Sequence, residues 1–302
     1  MGTSHLSRRE FLLGVVATAP VLQLNAVRGV ARNAVLAGVR GPAVELAAIE
    51  SRLGGRLGVS AVDTGSRLSV SYRADERFPM CSTFKLLAVA AILKRVDDRL
   101  EHLDRNVPFA EKDLLAYAPV TRAHVKQGGM ELSALCAAAI EYSDNTAANL
   151  ILESLNGPAN VTQFARSIGD NETRLDRNEP TLNSAIPGDQ RDTTTPAAMM
   201  ANLRAVLLGD VLSVASRALL TSWLIANTTG DDKLRASVPA TWRVGDKTGS
   251  GQNGAIGDIA IMWPPSRNPI LITAYIRDCS ASLSDRNAAI KDAGSVVLKA
   301  LG

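Results

Sequence analysis

From residue 41 to residue 78 the apolar positions recur first at helical spacing and then in alternation. Pro42 suits a first helical position and Gly54-Gly55 ends the segment, so 43–53 reads as a helix. Leu57, Val59 and Ala61 alternate with other residues, as do Leu68, Val70 and Tyr72, and Asp63-Thr64-Gly65-Ser66 separates the two sets. This pattern predicts a hairpin. A continuous apolar run over 86–93 follows and predicts a buried helix launched at Ser82. From there to about Ile225 the spacing is mostly helical, over roughly 113–117, 131–141, 145–155, 158–168, 196–208 and 213–226. After Asn227-Thr228-Thr229-Gly230 the rhythm turns to strands, at 243–248, 255–263 and 270–277. Ser284-Asp285 then caps a terminal helix with Ala289, Ala293, Val296 and Val297 on one face.

Strands at both ends of the chain and helices between them predict an α/β fold. Its antiparallel sheet, flanked by helices, is built from both termini (41–78 plus 227–302), and an all-α domain (79–226) is inserted. A substrate cleft is expected between the two parts. One segment breaks the rhythm. Residues 174–195 hold charges, Pro180, Pro187 and Gly188, with neither helical nor strand period. A structureless loop of that length inside a compact domain is usually functional.

Charge and cysteine content narrow the classes. Residues 1–40 carry Arg8, Arg9, Arg28, Arg32 and Arg40 against Glu10 alone, so the formal +3 of the 302-residue chain belongs to this leader. The remainder is close to neutral, and nucleic acid is not an expected partner. Arg8-Arg9 precedes an apolar run through Leu24 that contains Pro20, which reads as a twin-arginine export signal. An ordinary signal or an N-terminal anchor is the alternative, although the run is too short to span a bilayer comfortably. Residues 1–40 are therefore expected to be an export signal and unstructured leader. The product would be periplasmic or secreted, with no membrane anchor in the mature chain. Cys81, Cys136 and Cys279 lack metal-ligand spacing, and His5, His102 and His124 are the only histidines. Neither a metal nor another cofactor is expected.

Candidate chemistry begins at Ser82-Thr83-Phe84-Lys85. Residues three apart on a helix share a face, so a lysine amine would lie beside a serine hydroxyl at a buried helix N-terminus. A desolvated lysine can serve as the base that a serine nucleophile needs. Alone, the same four residues read more readily as a capping serine and a solvated lysine. Ser143-Asp144-Asn145, a polar step between two apolar helical phrases, is either an N-cap or a second hydroxyl and an amide on a cleft wall. Lys247-Thr248-Gly249-Ser250-Gly251 is either a turn or a strand edge offering a cation, a hydroxyl and a backbone N–H to a substrate. In the irregular loop, Glu179 and Asn183 stand four residues apart and could hold one water, while Arg177 and Asp192 could pair across the loop's neck.

The order S-x-x-K, S-D-N, Glu-bearing loop, K-T-G resembles that of the class A serine β-lactamases. The resemblance runs from about residue 41 to the end and is nearest the exported chromosomal enzymes and the cefotaxime-hydrolysing branch. It implies the serine β-lactamase and penicillin-binding-protein-like fold, and hydrolysis of penicillins and cephalosporins by a monomer through an acyl-serine. It also implies residue roles. Ser82 would be the acylated nucleophile, Lys85 a partner in its activation and Ser143 the relay of a proton to the departing nitrogen. Glu179 would activate a catalytic water held by Asn183. Asn145 would bind the acylamide, and Lys247, Thr248 and Ser250 the substrate carboxylate. Tyr117 would flank the cleft entrance, and the N–H groups of Ser82 and Ser250 would form an oxyanion hole.

Three departures from the family pattern follow. Ile256 stands where many members carry a carboxylate-binding arginine, for which Lys233, or otherwise Arg235, would substitute. The family's disulfide partner for Cys136 is here Val89. Cys81 faces Gly251 where some carbapenem-hydrolysing members have a cysteine. No structural disulfide and no strong carbapenem hydrolysis are expected. Three rivals share fewer of these features. A D-alanyl-D-alanine peptidase does not need Glu179 with Asn183, a covalent β-lactam sensor should carry an anchor or signalling region, and a non-enzymatic binding module gives no reason for four motifs to coexist.

Overall fold

The computed structural model describes residues 41–302; the leader expected over 1–40 lies outside the described residues. The described chain opens with α1 (Pro42–Leu53), β1 (Arg56–Asp63), β2 (Ser69–Tyr72) and the short β3 (Phe78–Pro79). A single 3-10 turn, Cys81–Thr83, leads into α2 (Phe84–Asp97). The middle carries β4 (Asn106–Pro108), α3 (Thr121–His124), β5 (Gly129–Glu131), α4 (Leu132–Glu141), α5 (Asn145–Ser154), α6 (Ala159–Ser167), β6 (Thr193–Thr194), α7 (Pro196–Leu208) and α8 (Val214–Ile225). The chain closes with β7 (Arg243–Ser250), β8 (Ile256–Trp263), β9 (Ile270–Arg277) and α9 (Leu283–Leu301).

Five strands form one antiparallel sheet in the order β2-β1-β9-β8-β7, so N- and C-terminal segments are woven together. Both of its faces are covered. Along β9, Ile270, Ile272, Ala274 and Ile276 pack with α1 and α9, while Leu271 and Tyr275 join the cluster that contains α2, α4, α5, α7 and α8. Successive strand side chains point to opposite faces, so a strand covered on both sides reads as one apolar run. This is the α/β architecture that the hydrophobic pattern predicts.

Every residue of α2 from Phe84 to Leu93 is buried. Each of its large aliphatic side chains contributes about 2 kcal/mol relative to exposure. Lys85 lies inside that run at 0% exposure. A charge there is tolerable only with partners, and the site supplies them.

Two predicted elements differ. No helix forms over 113–117: Glu111–Asp113 is a 3-10 turn and the chain then runs irregularly to α3. Asp113 and Leu114 N–H close the 3-10 turn on Ala110 O and Glu111 O. Beyond it, two backbone donors leave the segment for side chains at the start of α5. Leu115 N–H donates to Thr146 Oγ1 (2.8 Å) and Val120 N–H to Asp144 Oδ2 (2.9 Å). The last helix is capped by Ser282, not Ser284. Ser282 Oγ accepts from Asp285 N–H at 3.1 Å and donates to Asp285 Oδ2 at 2.7 Å, because the acid falls three residues after the earlier serine. The irregular loop also carries structure of its own: β6 pairs with β3, and Thr181–Ser184 makes a 3-10 turn.

Candidate active site

Ser82 sits in the turn that opens α2. The turn is pinned by Thr83, whose Oγ1 donates to Met80 O at 2.8 Å and meets Tyr275 Oη at 3.1 Å. Cys81 before it is left-handed at φ 45°, as is Ser143 at φ 56°. Non-glycine residues held there cost roughly 1–3 kcal/mol each and persist only where the surroundings over-determine them. Both stand next to side chains that converge.

The carboxylate of Glu179 is where they meet. Ser82 Oγ lies 3.3 Å and Lys85 Nζ 3.2 Å from Glu179 Oε1. Helical spacing alone suggested that Ser82 and Lys85 would touch. Among the described residues no hydrogen bond joins them directly; they share the carboxylate oxygen. Lys85 Nζ donates to Ser143 O (2.8 Å) and Asn145 Oδ1 (2.7 Å) and reaches Ser143 Oγ at 3.3 Å. Burial holds the Lys85 amine below its usual value, against the opposing pull of Glu179. An uncharged amine would still satisfy both carbonyl-type acceptors with its two hydrogens and keep a lone pair for a proton.

Glu179 is held from two sides. Asn183 Nδ2 donates to its Oε2 at 2.5 Å. Asn149, one turn beyond Asn145 on α5, clamps its backbone: Nδ2 donates to Glu179 O and Oδ1 accepts from Glu179 N–H, both at 2.9 Å. Asn183 Oδ1 is buried with no hydrogen-bond partner among the described residues. A buried acceptor left free beside a carboxylate fits a site for water. The loop's neck is closed as its sequence suggests. Asp192 Oδ2 accepts from Arg177 Nε at 2.6 Å, and its Oδ1 accepts from the N–H groups of Asp176 (2.7 Å) and Arg177 (2.9 Å).

The polar step before α5 satisfies both of its readings. Asp144 is the N-cap, accepting from Ala147 N–H at 2.9 Å, while Ser143 and Asn145 face the cleft. From the opposite wall Lys247 Nζ donates to Ser143 Oγ at 3.1 Å and to Thr248 O at 2.9 Å. Burial and the Lys85 charge push Lys247 down to about 7. On β7 and β8, burial raises the carboxyl groups of Asp246 and Asp258, and Asp246 raises Asp258 further.

Strand β7 runs close over the turn. A Cβ on Gly249 would stand 2.7 Å from Met80 O and 3.0 Å from Ser82 N, so only glycine allows that approach. The approach brings Ser250 to the same cavity as Ser82. That cavity, about 290 Å³, is lined by Ser82, Ser143, Asn145, Asn183, Thr248 and Ser250, with Tyr117 half-exposed at its mouth. Every sequence-predicted site residue thus stands in or against one cleft. Thr229 and Lys233 line it too, and Lys233 Nζ donates to Thr229 O at 3.2 Å. Arg235 instead turns away to Asp246, its Nε 3.1 Å from Oδ1. Ile256 is buried opposite Ser250 in the sheet.

Sequence reasoning missed Asn149 and Thr229. An i,i+4 scan from Asn145 along α5 would have found the first; no local signal marks the second. Cys81, Cys136 and Cys279 are buried free thiols, and burial lifts Cys81 to about 12. Among the described residues no group of His, Cys, Asp and Glu is arranged to hold a metal, and no helix is long and apolar enough to cross a membrane.

Comparison with known proteins bears on the whole described chain. A family model described as "Beta-lactamase enzyme family" matches residues 42–301. Beta-lactamase CTX-M-8 of Citrobacter amalonaticus is 49% identical over 253 residues, covering 84% of this chain and 87% of that protein. The solved class A beta-lactamase described as the last common ancestor of Gram-negative bacteria superposes with a TM-score of 0.85 at 57% identity, over 86% of this chain and 99% of that one. The putative class A beta-lactamase PenP from Rhodopseudomonas palustris gives a TM-score of 0.84 at 52% identity, over 86% and 99% of the two chains.

Proposed function

The chain belongs to the class A members of the beta-lactamase enzyme family, and from that premise we propose how its cleft opens the β-lactam amide and which residues carry each step. It is a β-lactamase acting on penicillins and cephalosporins through an acyl-serine. Ser82 is the nucleophile. Its proton passes to Glu179 Oε1, the acceptor within 3.3 Å, with Lys85 beside the same oxygen to balance the charge. Ser82 Oγ bonds to the ring carbonyl carbon, and the electron pair of the C=O moves onto oxygen between the N–H groups of Ser82 and Ser250. One such donor contributes about 3–4 kcal/mol to related transition states.

Collapse of this intermediate breaks the C–N bond. Ser143 donates a proton to the leaving nitrogen and is resupplied by Lys85 or Lys247, which contact Ser143 Oγ at 3.3 and 3.1 Å. Glu179 then passes the proton it took from Ser82 to Lys85, 3.2 Å away, which replaces the proton given to Ser143, directly or through Ser143 Oγ to Lys247. In the second half, the ionised Glu179 takes a proton from a water held by Asn183. The resulting hydroxide adds to the ester carbon, and Ser82 leaves with its proton restored. Asn145 donates Nδ2 to the acylamide carbonyl, since its Oδ1 is committed to Lys85. Lys247, Thr248 and Ser250 hold the substrate carboxylate. Lys233 supplies the further positive charge in place of an arginine at position 256, because its amine lines the cleft while Arg235 is engaged with Asp246. Tyr117 borders the entrance.

The observation that carries the reading is the meeting of Ser82 and Lys85 at one oxygen of Glu179. A peptidase of similar fold needs no carboxylate there, and its acyl-enzyme would persist. Ring-opening kinetics with a chromogenic cephalosporin on wild type and Ser82→Ala test it. Wild type turns over, and Ser82→Ala forms no covalent adduct by mass spectrometry; equal turnover by both refutes the assignment. The working unit in this proposal is a monomer, to be checked by sedimentation. Export through the twin-arginine motif of residues 1–40 is part of the same proposal. Replacing Arg8-Arg9 by two lysines should strand the protein in the cytoplasm; unchanged export refutes that route.

A further inference from the structure

Thr229 belongs to none of the motifs, yet three of its polar groups are engaged at the end of the cleft assigned above to the substrate carboxylate. Its N–H donates to Asn227 Oδ1 at 3.1 Å, its carbonyl accepts from Lys233 Nζ at 3.2 Å, and its Oγ1 stands 2.8 Å from Asn227 Oδ1 and 2.5 Å from Thr248 Oγ1. The orientation of Asn227 is set independently, because its Nδ2 donates to the buried Asp246 Oδ2 at 2.7 Å. Asn227 Oδ1 can therefore only accept.

A hydroxyl has one proton to give. Thr229 gives its own to Asn227, so the 2.5 Å contact between the two threonines must carry the proton of Thr248. Thr248 is then a donor toward Thr229 and offers lone pairs to the cleft. In that state it repels an anion. To bind a carboxylate, Thr248 must turn its proton into the cleft. The short contact then survives only if Thr229 turns its proton from Asn227 to Thr248. Asn227 Oδ1 keeps the Thr229 N–H and is not left bare. No heavy atom moves; two C–O bonds rotate. With the anion bound, donation from Thr229 polarises the Thr248 hydroxyl and strengthens its bond to the charge.

We propose that Thr229 is a positioning residue for the anionic end of the substrate, its hydroxyl reversing direction on binding so that Thr248 is free to donate. Its carbonyl meanwhile anchors Lys233, so one residue aligns a hydroxyl and a cation on the same carboxylate. This rests on the assignment of Thr248 and Lys233 to that carboxylate.

The test compares a chromogenic cephalosporin with its carboxylate methyl ester on wild type, Thr229→Val and Thr229→Ser. Valine keeps the shape and removes the hydroxyl. The expected result is a KM for the free acid raised roughly threefold to tenfold by Thr229→Val, the range of one ordinary hydrogen bond, with kcat within about twofold. Thr229→Ser restores the wild-type KM, and the acylation rate with the ester is the same for all three. The inference is overturned if Thr229→Val leaves the KM of the acid unchanged, if it harms acid and ester alike, or if serine fails as valine does. Should the valine variant not fold, Thr229→Ala against Thr229→Ser decides by the same criteria. Failure of the wild type itself to open either compound would instead sink the functional reading.

Discussion

Replacing Glu179 by Gln separates the two halves of the reaction. The change keeps the side-chain volume and leaves the clamp on the backbone of residue 179 intact, since Asn149 grips main-chain atoms at 2.9 Å on each side. It converts an acceptor-only group into one with a single acceptor. In the native protein both oxygens face donors: Oε2 meets Asn183 Nδ2 at 2.5 Å, and Oε1 meets Ser82 Oγ at 3.3 Å and Lys85 Nζ at 3.2 Å. The glutamine oxygen stays with Asn183, and its NH2 then faces Ser82 and Lys85. Lys85 loses the group that favours its charged form, while burial, which disfavours that form, remains. The Lys85 amine, which shares the residue-179 contact with Ser82, is then the remaining base for its proton once the two side chains close the gap between them, so acylation is slowed but survives. The hydrolytic water has no such substitute. Loss of a general base lowers a step by about 10²–10⁴, and ~10³ corresponds to about 4 kcal/mol on the barrier. Deacylation should become limiting, with a burst of one equivalent of product chromophore in stopped flow. The covalent adduct, with the mass of the whole substrate added, should dominate the quenched spectrum. Turnover within about threefold of wild type and no adduct would refute the reasoning. Slow turnover with no burst would give the carboxylate an indispensable part in acylation and overturn the predicted ordering of the two steps.

Three further outcomes follow from the same geometry. Lys247, pushed down to about 7 by burial and the Lys85 charge, is charged below that pH and neutral above it, so kcat/KM for substrates with a free carboxylate should fall as pH rises through about 7; an esterified substrate should lack that limb, and identical profiles would refute the assignment. Lys233→Ala should raise KM for the free acid by about tenfold to a hundredfold with little change in kcat, the worth of one charge-assisted contact; an unchanged KM removes Lys233 from the carboxylate site. Asn149→Ala leaves the N–H and C=O of Glu179 without their partners, at a cost of about 1–3 kcal/mol for each group that stays buried; calorimetry should show a lowered Tm, and deacylation should suffer more than acylation, whereas equal loss in both steps would make the clamp merely structural.

The parts of the fold that could be read from residue order are those in which one local period coincides with one buried face. The run through α2 is legible because ten consecutive residues are buried, and β9 because its alternate residues enter two different clusters. What could not be read is where backbone donors leave their own segment. The stretch 113–117 has helix-forming residues, but the Leu115 N–H is taken by Thr146, about thirty positions later in the chain, and just past the stretch the Val120 N–H is taken by Asp144, about twenty-five positions later. No window scan contains those partners. The S-x-x-D box at Ser282 is a different failure: both serines are sound caps, and only the position of the acid three residues on decides between them.

The site divides along the same line, and the division explains why its supporting residues were the ones overlooked. Ser82, Ser143, Glu179 and Lys247 occur in short motifs because each must present its group together with a backbone feature: a helix start, a left-handed turn, a clamped loop, a strand edge. Asn149 and Thr229 act by holding those residues, through contacts whose sequence separations are 30 and 19. A positioning side chain needs only the right atom at the right distance, so any element that the fold brings near can supply it; Asn149 is traceable only through its helical spacing from Asn145, and Thr229 through no spacing at all. The same logic accounts for Lys233. Lys233, on the segment before β7, is the candidate for the positive charge that Ile256 lacks at the start of β8, and the structure narrows the choice because Arg235, two residues away, is already engaged with Asp246.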